Sequence, residues 1–251
     1  MRILAIGDIV GGVTVDYLTE KLWGIRRDEK IDFVIANGEN AAEIRGLHPN
    51  DAKRLFSGGV DVLTLGNHAF GQSNLAPLLE SDEGIIRPAN FPASAPGCGY
   101  TIRNISGWRV LCMNLCGRVY MDTYADPFDT TDKILAREAG NYDLSVLDFH
   151  AEATSEKWAF ARAFDGKINV LFGTHTHVTT ADEQILPHGT MWQTDLGMSG
   201  PTGGVIGTNT EAVLRKFRML MPAKFEVAEG KIEVHATIFD TDAPKVRRIV
   251  F

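Results

Sequence analysis

Side chains that can bind metal ions follow five apolar segments of the sequence, each where the segment ends. Two are carboxylates and the others are asparagines and histidines. The residues are Asp8, Glu39, Asn40, Asn67, His150, His175 and His177. If the five segments are strands of one α/β sheet, their carboxyl ends lie at the same edge, where such sheets bind ligands. The spacing therefore predicts one site at which all seven side chains meet.

Taken one at a time, these residues have ordinary structural explanations. Asp8 can cap the helix that follows it, and Glu39 and Asn40 can stabilise a turn. His175 and His177 are more indicative, because alternate residues of an extended chain point to the same side. The ordinary explanations would have to hold at five places independently, so the combination favours a shared site.

The chemical types of the ligands restrict the metal. Aspartate, glutamate and asparagine offer hard oxygen atoms, histidine offers a nitrogen of intermediate softness, and no cysteine joins the set. This combination suits Mn, Fe or Zn better than copper(I) or an iron–sulfur cluster. The ligands also outnumber the four of a structural zinc site. Two ions that share a bridging carboxylate would use them all.

The charge balance of such a centre indicates its chemistry. The two carboxylates, Asp8 and Glu39, neutralise only half the charge of two divalent ions, and the other ligands are neutral. The centre stays electropositive even with a bridging hydroxide, so it favours a phosphate oxygen. Metal binding lowers the pKa of water from about 15.7 to about 7, and paired ions stabilise the attacking and leaving oxygens.

His68 is the candidate general acid. It directly follows the predicted ligand Asn67, so in an extended turn its side chain points elsewhere. It can then protonate the leaving alkoxide. The alternatives are that His68 is a further metal ligand or forms a hydrogen bond within its loop.

Apolar and amphipathic segments predict the strands and helices that must position these residues. Strands are predicted over 3–6, 31–36, 62–65, 100–104, 108–115, 144–149, 168–172, 184–186, 191–194, 225–228, 232–239 and 246–251. Helices are predicted over 13–27, 50–56, 131–139, 155–164 and 211–217. Asn50 or Asp51 is expected to cap the second helix, and hairpins are expected around Ser106-Gly107 and Glu229-Gly230. The mixture predicts a layered α/β sandwich with mixed sheets.

The composition describes a globular protein without a large basic surface. The chain has 251 residues, of which 44% are hydrophobic and 23% are charged, and its net charge is −7. This length suits one core, so we expect a single domain over residues 1–251. No block of lysine and arginine indicates binding to duplex DNA, which favours a small anionic substrate.

The cysteines and the hydropathy of the sequence indicate where in the cell the protein is located. Cys98, Cys112 and Cys116 match neither a disulfide framework nor a zinc motif. The apolar run at the N-terminus is too short for a signal peptide, and no run reaches membrane-spanning length. We therefore expect a cytoplasmic protein that does not bind membranes. A homo-oligomer is left open on base rates alone.

The order and spacing of the polar blocks resemble those of the calcineurin-like metallophosphoesterases. The blocks are Gly7-Asp8, Gly38-Glu39-Asn40, Gly66-Asn67-His68, His150 and Gly173-Thr174-His175-Thr176-His177. Val10 stands where the family has a histidine in its first block, and Glu39 where it has an aspartate in its second. Both departures resemble the bacterial YmdB-like branch. The stretches 87–92, 148–156 and 194–201 also resemble that branch, so the similarity spans nearly the whole chain.

The resemblance implies a fold and an activity. The fold is a four-layer α/β/β/α sandwich of two mixed β-sheets flanked by helices. The activity is that of a di-iron or di-manganese phosphodiesterase that acts on cyclic nucleotides, so Fe or Mn is favoured over Zn as the divalent or trivalent ion.

The resemblance also assigns roles by position. It implies two sets of ligands, Asp8, Asn40 and His177 for one ion and Asn67, His150 and His175 for the other. Glu39 would bridge the ions, and His68 would donate the proton. Ala69 stands where many relatives have an acid that supports this histidine, so the group that orients His68 is left open. Asp148, Asp182 and Asp195 are candidates to support the ligands, or ordinary loop and strand-end residues.

Several functions remain open for such a centre. The first hypothesis is a phosphodiesterase acting on 2′,3′- or 3′,5′-cyclic nucleotides. The runner-up is a phosphomonoesterase or protein phosphatase, which cations near the site such as Arg45, Arg87 or Arg118 would favour because a monoester carries more negative charge. A metal-dependent nucleotide- or RNA-binding regulatory protein with weak activity is a third hypothesis. A purely structural metal protein is a fourth, against which the open, electropositive ligand set argues.

Overall fold

Fifteen strands and six α-helices make up the part of the chain that the structure describes. The computed structural model describes residues 1–81 and 83–251. The strands are β1 (Arg2–Ile6), β2 (Asp8–Ile9), β3 (Phe33–Asn37), β4 (Val62–Thr64), β5 (Ile85–Ile86), β6 (Tyr100–Ile105), β7 (Trp108–Cys116), β8 (Leu144–His150), β9 (Val170–Thr174), β10 (Gln184–Ile185), β11 (Met191–Gln193), β12 (Met198–Pro201), β13 (Ile232–Glu233), β14 (His235–Asp240) and β15 (Lys245–Val250). The helices are α1 (Gly12–Asp28), α2 (Pro49–Gly58), α3 (Ala76–Leu79), α4 (Pro127–Arg137), α5 (Thr154–Ala163) and α6 (Thr210–Met219). None of these helices combines the length and hydropathy that crossing a membrane requires.

Each of the two large sheets has a parallel core and antiparallel strands at an edge. The first has the order β15-β14-β1-β3-β4-β5, the second has the order β10-β11-β9-β8-β7-β6, and β13-β12-β2 form a small third sheet. In the first sheet β1, β3, β4 and β5 run parallel. In the second, β7, β8, β9 and β11 do so. Parallel neighbours need crossover connections, and helices α1 to α5 lie in these connections.

Side chains of the first sheet alternate between two apolar cores. Ile3 of β1 belongs to the core between the two large sheets, together with Phe172 of β9. Leu4, the next residue, belongs to the core under α1, together with Leu18. Successive residues of a strand point to opposite faces, so a strand covered on both sides is apolar at every position. Each such side chain contributes about 1.5–3 kcal/mol when it is fully buried.

The second sheet repeats this arrangement and completes the layers. Val146 of β8 faces the core between the sheets, and Leu147 faces a third core with Phe160 of α5. The ring of Phe149 stacks on that of Phe160 with 4.1 Å between centroids. The order of layers is therefore helices, first sheet, second sheet, helices. This is the α/β/β/α sandwich of two mixed sheets that the sequence predicts, and the single-domain boundary at 1–251 stays a prediction.

The strands that precede the predicted ligands end at one edge but belong to two sheets. The residue pairs in register near these ends are Ile6 with Ala36, Asn37 with Thr64, and His150 with Thr174. Three of the five strands lie in the first sheet and two in the second. The condition under which we argued that the ends converge, one shared sheet, is thus not met, although the ends do lie together. The ends converge because the sheets pack face to face with their carboxyl ends on the same side.

All five predicted helices begin one or more residues earlier than predicted, and in two of them a proline is the reason. Proline occupies the first helical position in α2 and in α4, where its fixed φ and missing N–H are tolerated. The cap is therefore the residue before the proline. His48 caps α2 by accepting a hydrogen bond from the Asn50 backbone N–H at 3.2 Å, so neither Asn50 nor Asp51 is the cap. Asp126 caps α4 and accepts hydrogen bonds from two backbone N–H groups.

The hairpin predicted around Glu229-Gly230 is not formed. Residues 225–228 contribute only an isolated bridge at Val227, which pairs with Thr208. The apolar segment that follows is divided between sheets: β13 pairs with β12, while β14 lies between β1 and β15. Ala236 and Ile238 of β14 join the core under α1, and this long-range packing outweighs the local turn signal.

Candidate metal centre

Asp8 and Asn40 bring two buried oxygen atoms to the edge where the first-sheet strands end. Asp8 begins β2 directly after β1, and Asn40 follows β3. The two residues are 0% and 4% exposed. Among the residues that the structure describes, neither the Oδ1 of Asp8 nor that of Asn40 has a hydrogen-bond partner. An unsatisfied buried polar atom costs about 1–3 kcal/mol, so the pair fits a cation better than an apolar surrounding.

His177 lies beside Asp8 with its ring already oriented. Its Nε2 is 3.8 Å from Asp8 Oδ1. Its Nδ1 is 3.0 Å from the backbone carbonyl oxygen of Ile206, to which an Nδ1–H donates. The lone pair is then on Nε2, the atom that faces Asp8. The structure brings Asp8 and His177 together, and their assignment with Asn40 to one ion stays a prediction.

Four further ligand atoms crowd together at the ends of β3, β4, β8 and β9. His150 Nε2 lies 2.9 Å from Glu39 Oε1, 3.0 Å from Asn67 Oδ1 and 3.0 Å from His175 Nδ1. Glu39, His150 and His175 form a group with the geometry of a metal site. Ligands about 2.1 Å from one ion and at right angles to each other are about 3.0 Å apart. The donor set and its spacing therefore fit a metal ion.

A buried network behind His150 fixes which of its nitrogens is free. Thr174 Oγ1 donates to Asp148 Oδ1 at 2.7 Å, so it can only accept from His150 Nδ1, which lies 2.8 Å away. His150 therefore carries its proton on Nδ1 and its lone pair on Nε2. The other oxygen of Asp148 accepts hydrogen bonds from Asn37 at 3.0 Å and from Thr64 at 2.5 Å. Asp148 is thus connected through Thr174 to the predicted ligand His150, and its role as a support of a metal ligand stays a prediction.

The His175-Thr176-His177 block is a tight loop and not an extended strand. His175 has φ 98° and His177 has φ 63°, both in the left-handed region. The two rings reach the site because the backbone is bent, so the argument from alternation along an extended chain is wrong. Such conformations cost about 1–3 kcal/mol each and persist only when the surroundings enforce them.

Two buried carboxylates hold this loop by accepting hydrogen bonds from it. Asp8 Oδ2 accepts from the His175 backbone N–H at 3.1 Å. Asp195 Oδ2 accepts from the Thr176 backbone N–H at 3.2 Å and from its hydroxyl at 2.7 Å. Lys157, whose side chain is 0% exposed, donates to the same Asp195 oxygen at 2.6 Å and to the Thr174 carbonyl at 2.9 Å. The charge pair thereby holds Thr174, just before the loop, and Thr176, in its middle. Asp182 instead binds Thr194.

Gly66 leaves the space in which Glu39 and His150 meet. A Cβ atom at position 66 would lie 2.3 Å from Glu39 Oε2 and 2.3 Å from His150 Nε2. Any larger residue would therefore push the Glu39 carboxylate and the His150 imidazole apart. The glycine before Asn67 is required by this close approach.

Burial shifts the pKa values of the ligands towards their neutral forms. It raises the pKa of Asp8 and of Glu39, against the opposing effect of nearby histidines. It lowers the pKa of His150 and of His175 to about 4, which keeps their lone pairs available at neutral pH. A divalent cation is the partner that stabilises ionised carboxylates and neutral imidazoles in one buried place.

His68 lies at the rim of this cluster. Its backbone N–H donates to Glu39 Oε2 at 3.1 Å, and its carbonyl accepts from the Gly71 N–H at 2.8 Å. The Asn67 amide nitrogen lies 3.4 Å from the ring Nε2. Burial is the main cause that lowers the pKa of His68, and Glu39 opposes it. Within residues 1–81 and 83–251 no carboxylate forms a hydrogen bond with the ring, and the hydrogen bonds of the His68 backbone hold its loop in place.

Sequence reasoning did not identify three residues that support the centre. Glu152 Oε2 lies 3.0 Å from His175 Nε2, the nitrogen opposite the one that faces His150. Asn37 accepts from the Glu39 backbone N–H at 3.1 Å, and Lys157 anchors the histidine loop as described. Glu152 lies within the stretch 148–156 and Asn37 directly precedes a polar block, so their positions were a signal. No sequence signal marked Lys157, because a lysine in an amphipathic helix normally faces water.

The three arginines that were considered as cations near the site make different interactions. Arg87 donates to the carbonyls of Pro88, Ala95 and Pro96. Arg118 pairs with Asp126 at 2.8 Å. Arg45 is close enough to His68 to contribute to the lowering of its pKa, after the larger effect of burial.

Known proteins resemble this chain in sequence and in fold. The chain matches the family of YmdB-like proteins over residues 4–250. It is 39% identical, over 100% of its length and 97% of the relative, to a Bacillus subtilis (strain 168) protein named 2′,3′-cyclic-nucleotide 2′-phosphodiesterase. Two solved structures are also similar. One is a hypothetical protein from Thermus thermophilus, with a TM-score of 0.94 and 40% identity over 100% of this chain and 99% of that one. The other is described as a novel phosphatase from Mycoplasma pneumoniae, with a TM-score of 0.92 and 31% identity over 100% and 93%.

Proposed function

Since this chain belongs to the family of YmdB-like proteins, we propose that it is a metal-dependent phosphoric diester hydrolase that acts on cyclic nucleotides. The name of the Bacillus subtilis relative supports 2′,3′-cyclic nucleotides first, and 3′,5′-cyclic nucleotides remain a second class to test. The observation that carries the proposal is the buried group of oxygen and nitrogen lone pairs around His150 and Asp8.

The chain offers two sets of ligands for two ions, Fe or Mn first and Zn as the alternative. Asp8, Asn40 and His177 would hold one, and Asn67, His150 and His175 the other, with Glu39 shared. Bound there, the ions would lower the pKa of water and stabilise charge on the phosphate. Thr174 and Asp148 keep the His150 lone pair directed inward, and Ile206 does the same for His177.

His68 is the proposed proton donor to the leaving ribose oxygen. It lies beside the ligand atoms without being one of the crowded group, and Glu39 fixes its backbone. Proton transfer by a positioned side chain contributes about 10²–10⁴-fold to a rate. We therefore expect His68→Ala to retain metal and to lose most of the turnover.

The test is hydrolysis of 2′,3′-cyclic AMP and bis-p-nitrophenyl phosphate by the manganese-loaded protein, with metal content measured alongside. Glu39→Ala should lower both rates by at least about a hundredfold and lower the bound metal. Glu229→Ala, which removes an exposed carboxylate, is the matched control. If the loaded wild type hydrolyses neither diester, the proposal fails. If Glu39→Ala keeps both metal and rate, the assigned centre is wrong.

A phosphomonoesterase is the second candidate, and one observation favours it. Arg45 adds positive charge beside His68, and a monoester carries up to two negative charges where a diester carries one. The Mycoplasma pneumoniae structure described as a phosphatase points the same way. Comparing kcat/KM for p-nitrophenyl phosphate and for bis-p-nitrophenyl phosphate decides between the two.

Location and assembly are further proposals. We propose a cytoplasmic protein, since its three cysteines are free thiols, two of them buried. A homo-oligomer is supported by exposed apolar side chains on and after α6, where Phe217 is 73% and Leu220 is 88% exposed. Light scattering of the wild type and of Phe217→Glu tests this, because a mass that is monomeric in both would exclude it.

A further inference from the structure

A cavity of about 340 Å³ opens beside the candidate centre. Three chain segments line it: residues 42–45, Gly71 with Gln72, and Ala223 with Phe225. The first segment begins two residues after the predicted ligand Asn40, and the second begins three residues after His68. The chain therefore places the cavity near the proposed proton donor, and Arg45 of its lining is close enough to His68 to affect the pKa of that histidine.

The walls of this cavity are fixed to the centre by hydrogen bonds. Asn40 Nδ2 donates to the Ile44 carbonyl at 2.8 Å, and Gln72 Nε2 donates to the Arg45 carbonyl at 3.1 Å. The same asparagine therefore offers its oxygen to the centre and its nitrogen to the cavity wall.

Two glycines bring the first two segments into contact. A Cβ at Gly46, which has φ 81°, would lie 2.7 Å from the Gln72 backbone nitrogen. A Cβ at Gly71 would lie 2.9 Å from the Gly46 nitrogen. The first two segments are thus held together by close backbone packing as well as by the hydrogen bond from Gln72.

The lining offers the kinds of group that recognise a nucleoside. Phe225 is partly exposed and supplies an aromatic surface, and Lys216 Nζ lies 4.9 Å from the centre of its ring. Arg45 is an exposed guanidinium, which can stack on a base or attract an anionic substrate. The amide nitrogen of Gln72 donates a hydrogen bond within the cavity wall, so its side-chain carbonyl oxygen can accept one from a ligand.

We propose that this cavity binds the nucleoside of the cyclic nucleotide, with the base against Phe225 and the ribose towards His68. The assignment rests on the proposed function of the centre. Pockets for small molecules measure about 300–1,000 Å³, so this one suits one nucleoside and not an oligonucleotide. Phe225, Gln72 and Arg45 are then determinants of substrate specificity, not catalytic residues.

The test compares two substrates that share the five-membered phosphate ring. 2′,3′-cyclic AMP carries a nucleoside, and glycerol 1,2-cyclic phosphate does not. In Phe225→Ala the ratio of kcat/KM for the nucleotide to that for the glycerol compound should fall about tenfold, mainly through KM, because a base stacked on an aromatic ring contributes about that much to binding. Gln72→Ala should lower the ratio less. Trp108→Ala, an exposed aromatic on the β6–β7 hairpin, should leave it unchanged.

A binding measurement separates this proposal from the proposed activity. Calorimetric titration of the manganese-loaded protein with 3′-AMP should show affinity about tenfold weaker in Phe225→Ala. If the wild type hydrolyses neither substrate, the proposed function fails. The titration alone then decides whether the cavity binds the nucleoside. If folded Phe225→Ala and Gln72→Ala keep both the wild-type ratio and the wild-type affinity, the cavity is not the nucleoside site.

Discussion

The two ends of the second sheet carry ion pairs that are equally short but differently exposed. At the carboxyl end, Lys157 Nζ lies 2.6 Å from Asp195 Oδ2, and the side chains are 0% and 1% exposed. At the amino end, Arg109 Nη2 lies 2.6 Å from Asp143 Oδ1, and the side chains are 46% and 36% exposed. Only the first pair lies against the histidine loop.

The difference shows that the distance between the partners of an ion pair does not measure the contribution of the pair to the stability of the fold. Water screens the exposed pair and replaces either partner when the other is removed. The buried pair has no such replacement, so removing one partner leaves a charge in a place that water cannot reach. The end of the sheet that carries the predicted centre is therefore supported by charges that must stay paired.

Lys157→Met is expected to have the largest effect on stability. The substitution leaves the Asp195 carboxylate buried without its cation, and breaking such a pair costs about 3–5 kcal/mol. The free energy of unfolding in guanidinium chloride measures this loss. The histidine loop should loosen as well, because Asp195 holds Thr176.

Two further variants are controls for Lys157→Met. Arg109→Met removes the cation of the exposed pair and should have little effect on stability. Lys157→Met combined with Asp195→Leu removes both buried charges and should recover part of the loss. Equal effects of the two single lysine and arginine variants would contradict the contrast between the two ends.

Asp148→Asn is expected to weaken metal binding more than folding. The asparagine replaces one acceptor oxygen with an NH2 group that only donates, so it cannot accept all the hydrogen bonds that Asp148 accepts from Asn37, Thr64 and Thr174, and the orientation of His150 is less firmly fixed. Loss of such a support typically costs about 10–100-fold in metal affinity. Competition with a chelator of known affinity measures it. An unchanged affinity would show that Thr174 alone orients the imidazole.

The layers and the position of the site could be predicted because they depend on local patterns. Every residue of β8 is buried, and its apolar run predicted a strand over 144–149. Because neighbouring strands that precede polar blocks run parallel, their carboxyl ends lie at the same edge of each sheet. What the pattern could not show was that two sheets share these ends, since strand pairing is decided by long-range packing.

The supports of the centre were predictable only in part. Asp148 precedes a ligand by two residues and was considered for this role. The left-handed φ of His175 and His177 was not foreseeable, because only the surrounding carboxylates make that conformation stable. Lys157 faces inward from α5 because Asp195, far away in the sequence, neutralises it. A single sequence gives no sign of such a pairing.

Glu152→Gln tests whether a residue that hydrogen-bonds to a predicted ligand contributes less to metal binding when it is exposed to water, even at the carboxyl end of the second sheet. Glu152 lies 3.0 Å from His175 Nε2, but its side chain is 48% exposed. Water and the glutamine oxygen can both replace the carboxylate, so metal affinity should fall by less than about tenfold. The same chelator competition measures it. A loss as large as that of Asp148→Asn would mean that burial does not separate strong supports from weak ones.

The smallest effect is expected at the amino end and should depend on pH. Hydrogen bonds from the Arg109 side chain and backbone lower the pKa of Asp143 to about 2, below the ordinary aspartate value of about 3.9. Because the pKa is lower in the folded state, the pair adds stability above about pH 4 and loses it as the pH falls towards about 2. Asp143→Asn should therefore be slightly less stable than the wild type at about pH 6, and the difference should shrink towards about pH 3. Urea unfolding at constant ionic strength measures both proteins across this range. If the difference stays constant with pH, Asp143 supports the strand end through uncharged hydrogen bonds to Arg109, and charge is not what distinguishes the two ends of the sheet.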